Sequence, residues 1–205
     1  MSGKYALSAE MAREELLKAD PAQMAQWSGG QYDPAGKVLS LILCGRPVHF
    51  DFGDGALSWG DSGAAFDPVA SIPVLHYLLK ARGAEPTGEL LPYRDLWGAK
   101  AQSGPFINRP EACLAKKYAA APGLILKAAA DIGAGIIEKC GDMRLDILVF
   151  PKIPIALMLY AAEDDDIPAG AKFLFDSVIK EYLPTEDIIW VAEMLAELLT
   201  RTDAV

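Results

Sequence analysis

An α+β domain, with a mostly antiparallel sheet packed against helices, is the fold class this sequence predicts, on three observations. Apolar spacing is helical near the N-terminus, then shortens to strand-like runs over 38–59 divided by Gly and Pro. A strongly amphipathic helical stretch follows over 71–82. Alternating and then continuous apolar residues over 145–160 precede a last amphipathic helix from Thr185. The reading is one domain over residues 1–205, a meander plus C-terminal strands, long enough to bury a core without staples.

Residues 9–19 have the spacing of a helix with Met11, Leu16 and Leu17 inward. Asp20-Pro21-Ala22-Gln23 reads as a capping box with Pro at the first helical position, and Gly29-Gly30 ends the short helix it opens. The strand-like runs 38–43, 48–52 and 56–59 are separated by Gly45-Arg46-Pro47 and Gly53-Asp54-Gly55. Over 71–82, Ile72, Leu75, His76 and Leu79 share a helical face, with Gly83 placed to end it. Residues 85–105 are turn-rich. Asn108-Arg109-Pro110-Glu111 matches a capping box for a helix that Pro122-Gly123 interrupts, and a second helical piece over 124–132 ends in Gly133 and Gly135.

Cys140-Gly141-Asp142 reads as a turn into a half-buried strand, where Leu145, Ile147 and Val149 point one way. Residues 153–160 are apolar on both faces, and Pro151 and Pro154 favour a central strand over a buried helix. Thr185 is expected to cap the last helix, with Glu186 and Asp187 at its positive end and Ile188, Val191, Ala192, Leu195 and Leu198 inward.

Nineteen basic residues against twenty-eight acidic ones give a formal charge of −9. An acidic surface with no basic cluster repels phosphate backbones, so nucleic acid and anionic membranes are poor partners. A small molecule or a protein partner, and a homo-oligomer, stay open. Cys44, Cys113 and Cys140 are odd in number and widely spaced, and none belongs to a C-x-x-C pair. Neither a disulfide scaffold nor a zinc or iron–sulfur site is expected from them. The start of the chain has no apolar signal-peptide core, and the longest apolar run is too short to span a bilayer, so a cytoplasmic protein is expected.

Gly60-Asp61-Ser62-Gly63 resembles the string around a serine-protease nucleophile. That chemistry needs a His base and an orienting Asp, and the two histidines, His49 and His76, do not stand at the required separations. Ala64 replaces the second Gly of the hydrolase elbow, so a surface turn is expected. Gly133-Ala134-Gly135 lacks the third glycine of a dinucleotide loop, because Glu138 occupies that place. Glu163-Asp164-Asp165-Asp166 is the densest charge run; it reads as a solvated turn, with a metal or other cation as the functional alternative. His76 is expected to be a half-buried histidine with one partner, and Asp176 an N-cap rather than a catalytic acid.

A family resemblance rests on Phe150-Pro151-x-Ile153-Pro154, Asp164-Asp165-Asp166-Ile167-Pro168-Ala169, Leu174-Phe175-Asp176 and Tyr182-Leu183-Pro184-Thr185-Glu186-Asp187. It extends upstream to Leu75-His76-Tyr77-Leu78 and more loosely to Gly141-Asp142. Together these resemble the uncharacterised prokaryotic family known as domain of unknown function 3786. The resemblance implies relatives largely in anaerobes, some fused to a four-cysteine domain similar to the iron–sulfur module of corrinoid proteins. It therefore implies an accessory role near one-carbon or corrinoid metabolism, and carries over no catalytic residue.

The function expected from these readings is a non-catalytic binding or accessory module for a cofactor or partner protein in anaerobic metabolism, the cofactor itself unknown. The alternatives are a metal-dependent enzyme using the acidic cluster with His76, and a structural homodimer. A binding site is expected between the irregular segment 93–106, which carries Tyr93, Arg94, Trp97 and Lys100, and the turn Asp164, Asp165 and Asp166. Aromatics beside cations suit a planar or anionic ligand. His76 is placed nearest, as the group able to change charge near neutral pH.

Overall fold

Two antiparallel sheets carry the chain in a computed structural model, which describes residues 2–67, 70–96, 105–118, 121–139, 142–162 and 168–201. The first is the expected meander, extended by one strand: β1 (Gln31–Asp33), β2 (Val38–Leu43), β3 (Arg46–Asp51) and β4 (Leu57–Trp59), in that order. Leu43 pairs with Arg46 across a two-residue turn in which Cys44 has φ 47° and Gly45 φ 77°. Two consecutive left-handed residues make the hairpin turn that matches strand twist. A Cβ on Gly45 would also lie 3.2 Å from the backbone of Ile132, so glycine is required there twice over. The Cys44 N–H donates to Val149 O at 2.9 Å, tying this turn to the second sheet.

The second sheet runs β5-β9-β8-β7-β6, from β5 (Leu90–Pro92), β6 (Gly135–Lys139), β7 (Asp142–Phe150), β8 (Ile153–Tyr160) and β9 (Gly170–Asp176). The expected central strand is β8, third of five. Leu145, Leu157 and Phe173 stand opposite one another and are fully buried. Ile147 and Val149 continue the buried row, while Leu148 between them is exposed.

Among the described residues, seven α-helices pack with the sheets: α1 (Ser2–Leu16), α2 (Pro21–Ser28), α3 (Ser71–Lys80), α4 (Pro105–Tyr118), α5 (Leu126–Asp131), α6 (Ile179–Tyr182) and α7 (Thr185–Thr200). Asp20 caps α2 as expected, accepting from the Ala22 and Gln23 N–H groups, and Gly29 closes it at φ 72°. No helix among the described residues is long and apolar enough to cross a membrane.

Four expectations are corrected. On α1, Leu16 is buried, but Met11 is 63% exposed and Leu17 is also exposed; Ala9 and Ala12 complete the inward face. The helix packs on α3, and small side chains let the two backbones approach. Asn108 caps nothing, because α4 starts at Pro105 and carries Pro110 within it. Glu111 turns to the second sheet instead. Strand β5 ends opposite Leu174, and beyond that point the Glu111 carboxylate accepts the Phe173 N–H at 3.0 Å and pairs with Lys172 Nζ at 3.1 Å. A carboxylate thus closes a strand edge that would otherwise leave a buried donor unpaired.

Thr185 is not a cap either: Pro184 holds the N-cap position, with no side-chain bond, and Thr185 is the first helical residue. The extended Pro184 backbone sets the helix start, and its carbonyl accepts the Asp187 and Ile188 N–H groups. Last, the segment from Gly135, expected as part of a glycine turn, forms edge strand β6 paired to β7. Gly133, at φ 69°, does end the helical piece as expected.

Candidate ligand-binding site

A cavity of about 670 Å³ opens where the β2–β3 turn, the end of β4, the α4–α5 connection and the outer flank of α7 meet. Local chain geometry places each wall. The tight Cys44-Gly45 turn projects Leu43, Cys44 and Arg46 into one side. Helix α7 contributes Trp190, Met194, Glu197 and Leu198, with Arg201 just past its end. Those positions are i, i+4, i+7, i+8 and i+11, one stripe of a helix. It lies beside the core stripe of Ile188, Val191, Ala192, Leu195 and Leu199, all buried.

The floor is aromatic. Phe66 stacks on the Trp59 indole with centroids 4.3 Å apart, and the Arg46 guanidinium carbon lies 4.0 Å from the same ring centroid. Both groups pack directly on the Trp59 ring. Tyr118 donates its hydroxyl to Leu199 O, and Lys117 donates to Thr200 O. These bonds satisfy the last carbonyls of α7 and fix both side chains at the wall. The Trp190 indole, half-buried, meets no acceptor among the described residues. At the rim, Leu124 is 71% exposed although it borders the cavity. A leucine in that position is the kind of surface a bound ligand would cover.

Burial pushes the Cys44 thiol up to about 12, so it is a neutral wall atom at physiological pH and not a nucleophile. The charged lining consists of four cations, Arg46, Lys117, Lys127 and Arg201, and two carboxylates, Asp131 and Glu197. In a chain of net charge −9, this is a locally positive patch. Arg46 holds Asp61 in a two-pronged bond, Nε to Oδ2 at 3.0 Å and Nη2 to Oδ1 at 3.1 Å. The Arg46 hydrogen bond leads the causes that hold the Asp61 carboxyl below the usual range. A smaller hollow of about 430 Å³, between α4 and α7, shares Trp190, Met194 and Glu197 with the cavity.

The residues predicted from the sequence fall elsewhere. His76 lies on α3 with Nδ1 2.6 Å from Asp187 Oδ2, joining α3 to the first turn of α7. Tyr93 is buried, with its hydroxyl donating to Thr185 O at 3.4 Å and its ring edge-on to Phe175. Both therefore come to the start of α7. Arg94 stays exposed beside Asp95, at 3.8 Å. None of these three lines the cavity. Trp97, Lys100, Asp164, Asp165 and Asp166 lie outside the described residues. Among those described, no group of three or more His, Cys, Asp or Glu side chains converges.

Asp61 and Ser62 sit in the turn after β4, where Ser62 Oγ accepts the Ala64 N–H at 3.4 Å. A Cβ on Gly60 would stand 2.6 Å from His49 Nε2, so glycine is needed for the strand end to pass that ring. The string Gly60-Asp61-Ser62-Gly63 is thus a surface turn that delivers Asp61 to Arg46. Cys44 and Cys113 are free thiols.

Sequence reasoning missed the cavity because its walls come from segments more than 150 residues apart. One signal was available: Trp190 and Met194, large apolar residues on the flank of a helix whose core face is already complete.

The family model described as a domain of unknown function, DUF3786, matches residues 20–198. That span contains every cavity wall except Arg201. No curated protein and no solved structure matches the chain.

Proposed function

The chain belongs to the DUF3786 family, and we propose that it is a non-catalytic binding module for a largely apolar, ring-bearing small molecule of cofactor size. The observation that carries this reading is the 670 Å³ cavity walled by Trp59, Phe66, Tyr118 and Trp190. Ligand sites are typically concave, about 300–1,000 Å³, and apolar with a few placed polar groups. A binding role is further supported by the quiet chemistry of the walls. The thiol is neutral, and each lining cation already has a partner. The accessory role in anaerobic metabolism implied by the family resemblance, in a reducing cytoplasm, belongs to the same proposal.

Trp190 is the anchor of the site, since it is half-buried, borders both hollows and meets no hydrogen-bond acceptor among the described residues. Titration with N-phenyl-1-naphthylamine, a neutral planar fluorophore, should give saturable one-to-one binding. Trp190→Ala should weaken it about tenfold while the far-ultraviolet dichroism stays unchanged. Absence of saturable binding, or equal affinity in the variant, would refute the reading.

A further inference from the structure

We infer that the ligand of this cavity is an amphipathic anion whose acid group is held by Arg46, in the place that the Asp61 carboxylate occupies in this structure. The inference rests on the cavity being the binding site and adds the chemical class of what enters it. Of the two lining cations that lie over a ring among the described residues, Arg46 is the closer, at 4.0 Å from the Trp59 centroid against 5.5 Å for Lys117 Nζ and Tyr118. Its guanidinium carbon lies over the Trp59 ring, on which Phe66 also stacks. A planar fork held in this way loses little further freedom on gripping a carboxylate or phosphate. Arg46 follows directly on the tight Cys44-Gly45 turn, where a Cβ on Gly45 would lie 3.2 Å from the Ile132 backbone.

Asp61 shows that the fork accepts a carboxylate there with both prongs. Yet Asp61 does not belong to the walls. It comes from an exposed turn, and both partners are nearly half exposed, at 46% and 42%. Exposed pairs of this kind contribute little to stability, so exchange for another acid is cheap. The turn backbone is pinned by the Gly60 N–H to Pro47 O at 2.8 Å and the Gly63 N–H to Trp59 O at 2.7 Å, so the exchange asks only the exposed Asp61 side chain to turn away. The remaining lining favours the same sign of charge, with Lys117, Lys127 and Arg201 against Asp131 and Glu197. A ligand with rings in the aromatic floor and an acid at Arg46 would also cover Leu124 at the rim.

The test compares two probes with one apolar body, 1-pyrenebutyrate and 1-pyrenebutanol, by fluorescence titration of the intact protein. The butyrate should bind about tenfold more tightly than the alcohol, the scale of a charge-assisted bond. Arg46→Gln should bring that ratio close to one. Asp61→Asn, which removes the resident acid and keeps the turn, should tighten the butyrate severalfold and leave the alcohol unmoved. A purely structural Arg46–Asp61 pair would not produce that gain. Equal binding of both probes to the wild type would overturn the anion and leave the cavity reading standing. So would a preference that survives in Arg46→Gln. If neither probe binds, the cavity reading falls as well.

Discussion

Asp176→Ala should destabilise the protein by about 4 kcal/mol, read as a shift in the urea midpoint with an unchanged slope. Asp176 is 1% exposed and ends β9. Its carboxylate accepts from the Thr87 N–H at 3.1 Å, the Thr87 hydroxyl at 2.8 Å, the Gly88 N–H at 2.7 Å and the Val178 N–H at 2.9 Å. Alanine would strand three backbone donors in a part-buried pocket, each costing about 1–3 kcal/mol. The side chain expected as a simple helix cap is therefore a clamp. It gathers the loop before β5 onto the end of β9 and the turn into α6.

The same clamp gives the protein an acid limit. Desolvation would raise the Asp176 carboxyl, but hydrogen bonds from Val178, Thr87 and Gly88 outweigh it and hold it below the usual carboxylate range. A carboxyl lowered in the folded state stabilises above the unfolded value, about 3.9, and loses that contribution as pH falls through the folded value. Wild-type stability should therefore decline below about pH 4, and Asp176→Asn should show a shallower decline over the same window. Parallel curves for the two proteins would show that the clamp does not titrate with folding.

Tyr77→Ala should cost about 4 kcal/mol, with the smaller Tyr77→Phe costing about 1 kcal/mol. The ring is stacked on Phe150 at 4.3 Å and on Tyr182 at 5.1 Å, with no exposure. Its hydroxyl donates to Ser28 O at 2.5 Å and accepts the Lys152 N–H at 3.2 Å. One residue of α3 thus ties the end of α2, the β7–β8 turn and α6 together. Burial pushes its phenol far above the ordinary range, so it stays a neutral donor at any working pH. If Tyr77→Phe cost as much as Tyr77→Ala, the hydroxyl and not the ring would carry the packing.

Local signals were legible and long-range ones were not. Asp20-Pro21 and Gly29 mark the ends of α2 through chemistry confined to a few residues, and they do so here. The alternation of Leu145, Ile147 and Val149 reads as a strand because one face of β7 is buried and the other wet. Asn108-Arg109-Pro110-Glu111 carries the same kind of local signal and misleads. Glu111 serves Phe173, sixty-two residues away, and a tertiary partner outbids a cap. Met11 misleads for a related reason: packing on α3 chooses small Ala9 and Ala12 over the larger residue beside them. The cavity is the extreme case. Leu43, Trp59, Tyr118 and Trp190 each look like ordinary core residues in sequence, and only their assembly leaves a space between them.

His76 illustrates the boundary between the two. Its position on an apolar helical face with one polar partner was readable; that the partner is Asp187, which opens α7, was not. The residues of α7 divide between that junction and the cavity. Asp187 belongs to the first turn, and Trp190, one turn later, begins the stripe that ends at Arg201.

The indole N–H signals of the protein's four tryptophans test the account's central claim most directly. Trp59 and Trp190 border the cavity, whereas Trp27 lines neither hollow, has Arg82 over its ring and offers its backbone carbonyl to Tyr182. In a nitrogen–proton correlation spectrum, assigned with Trp→Phe variants, N-phenyl-1-naphthylamine should shift the Trp59 and Trp190 resonances together and saturably, and leave Trp27 in place. Movement of Trp27 without Trp59 and Trp190, or no movement of any of the three at saturating probe, would contradict the cavity as the binding site.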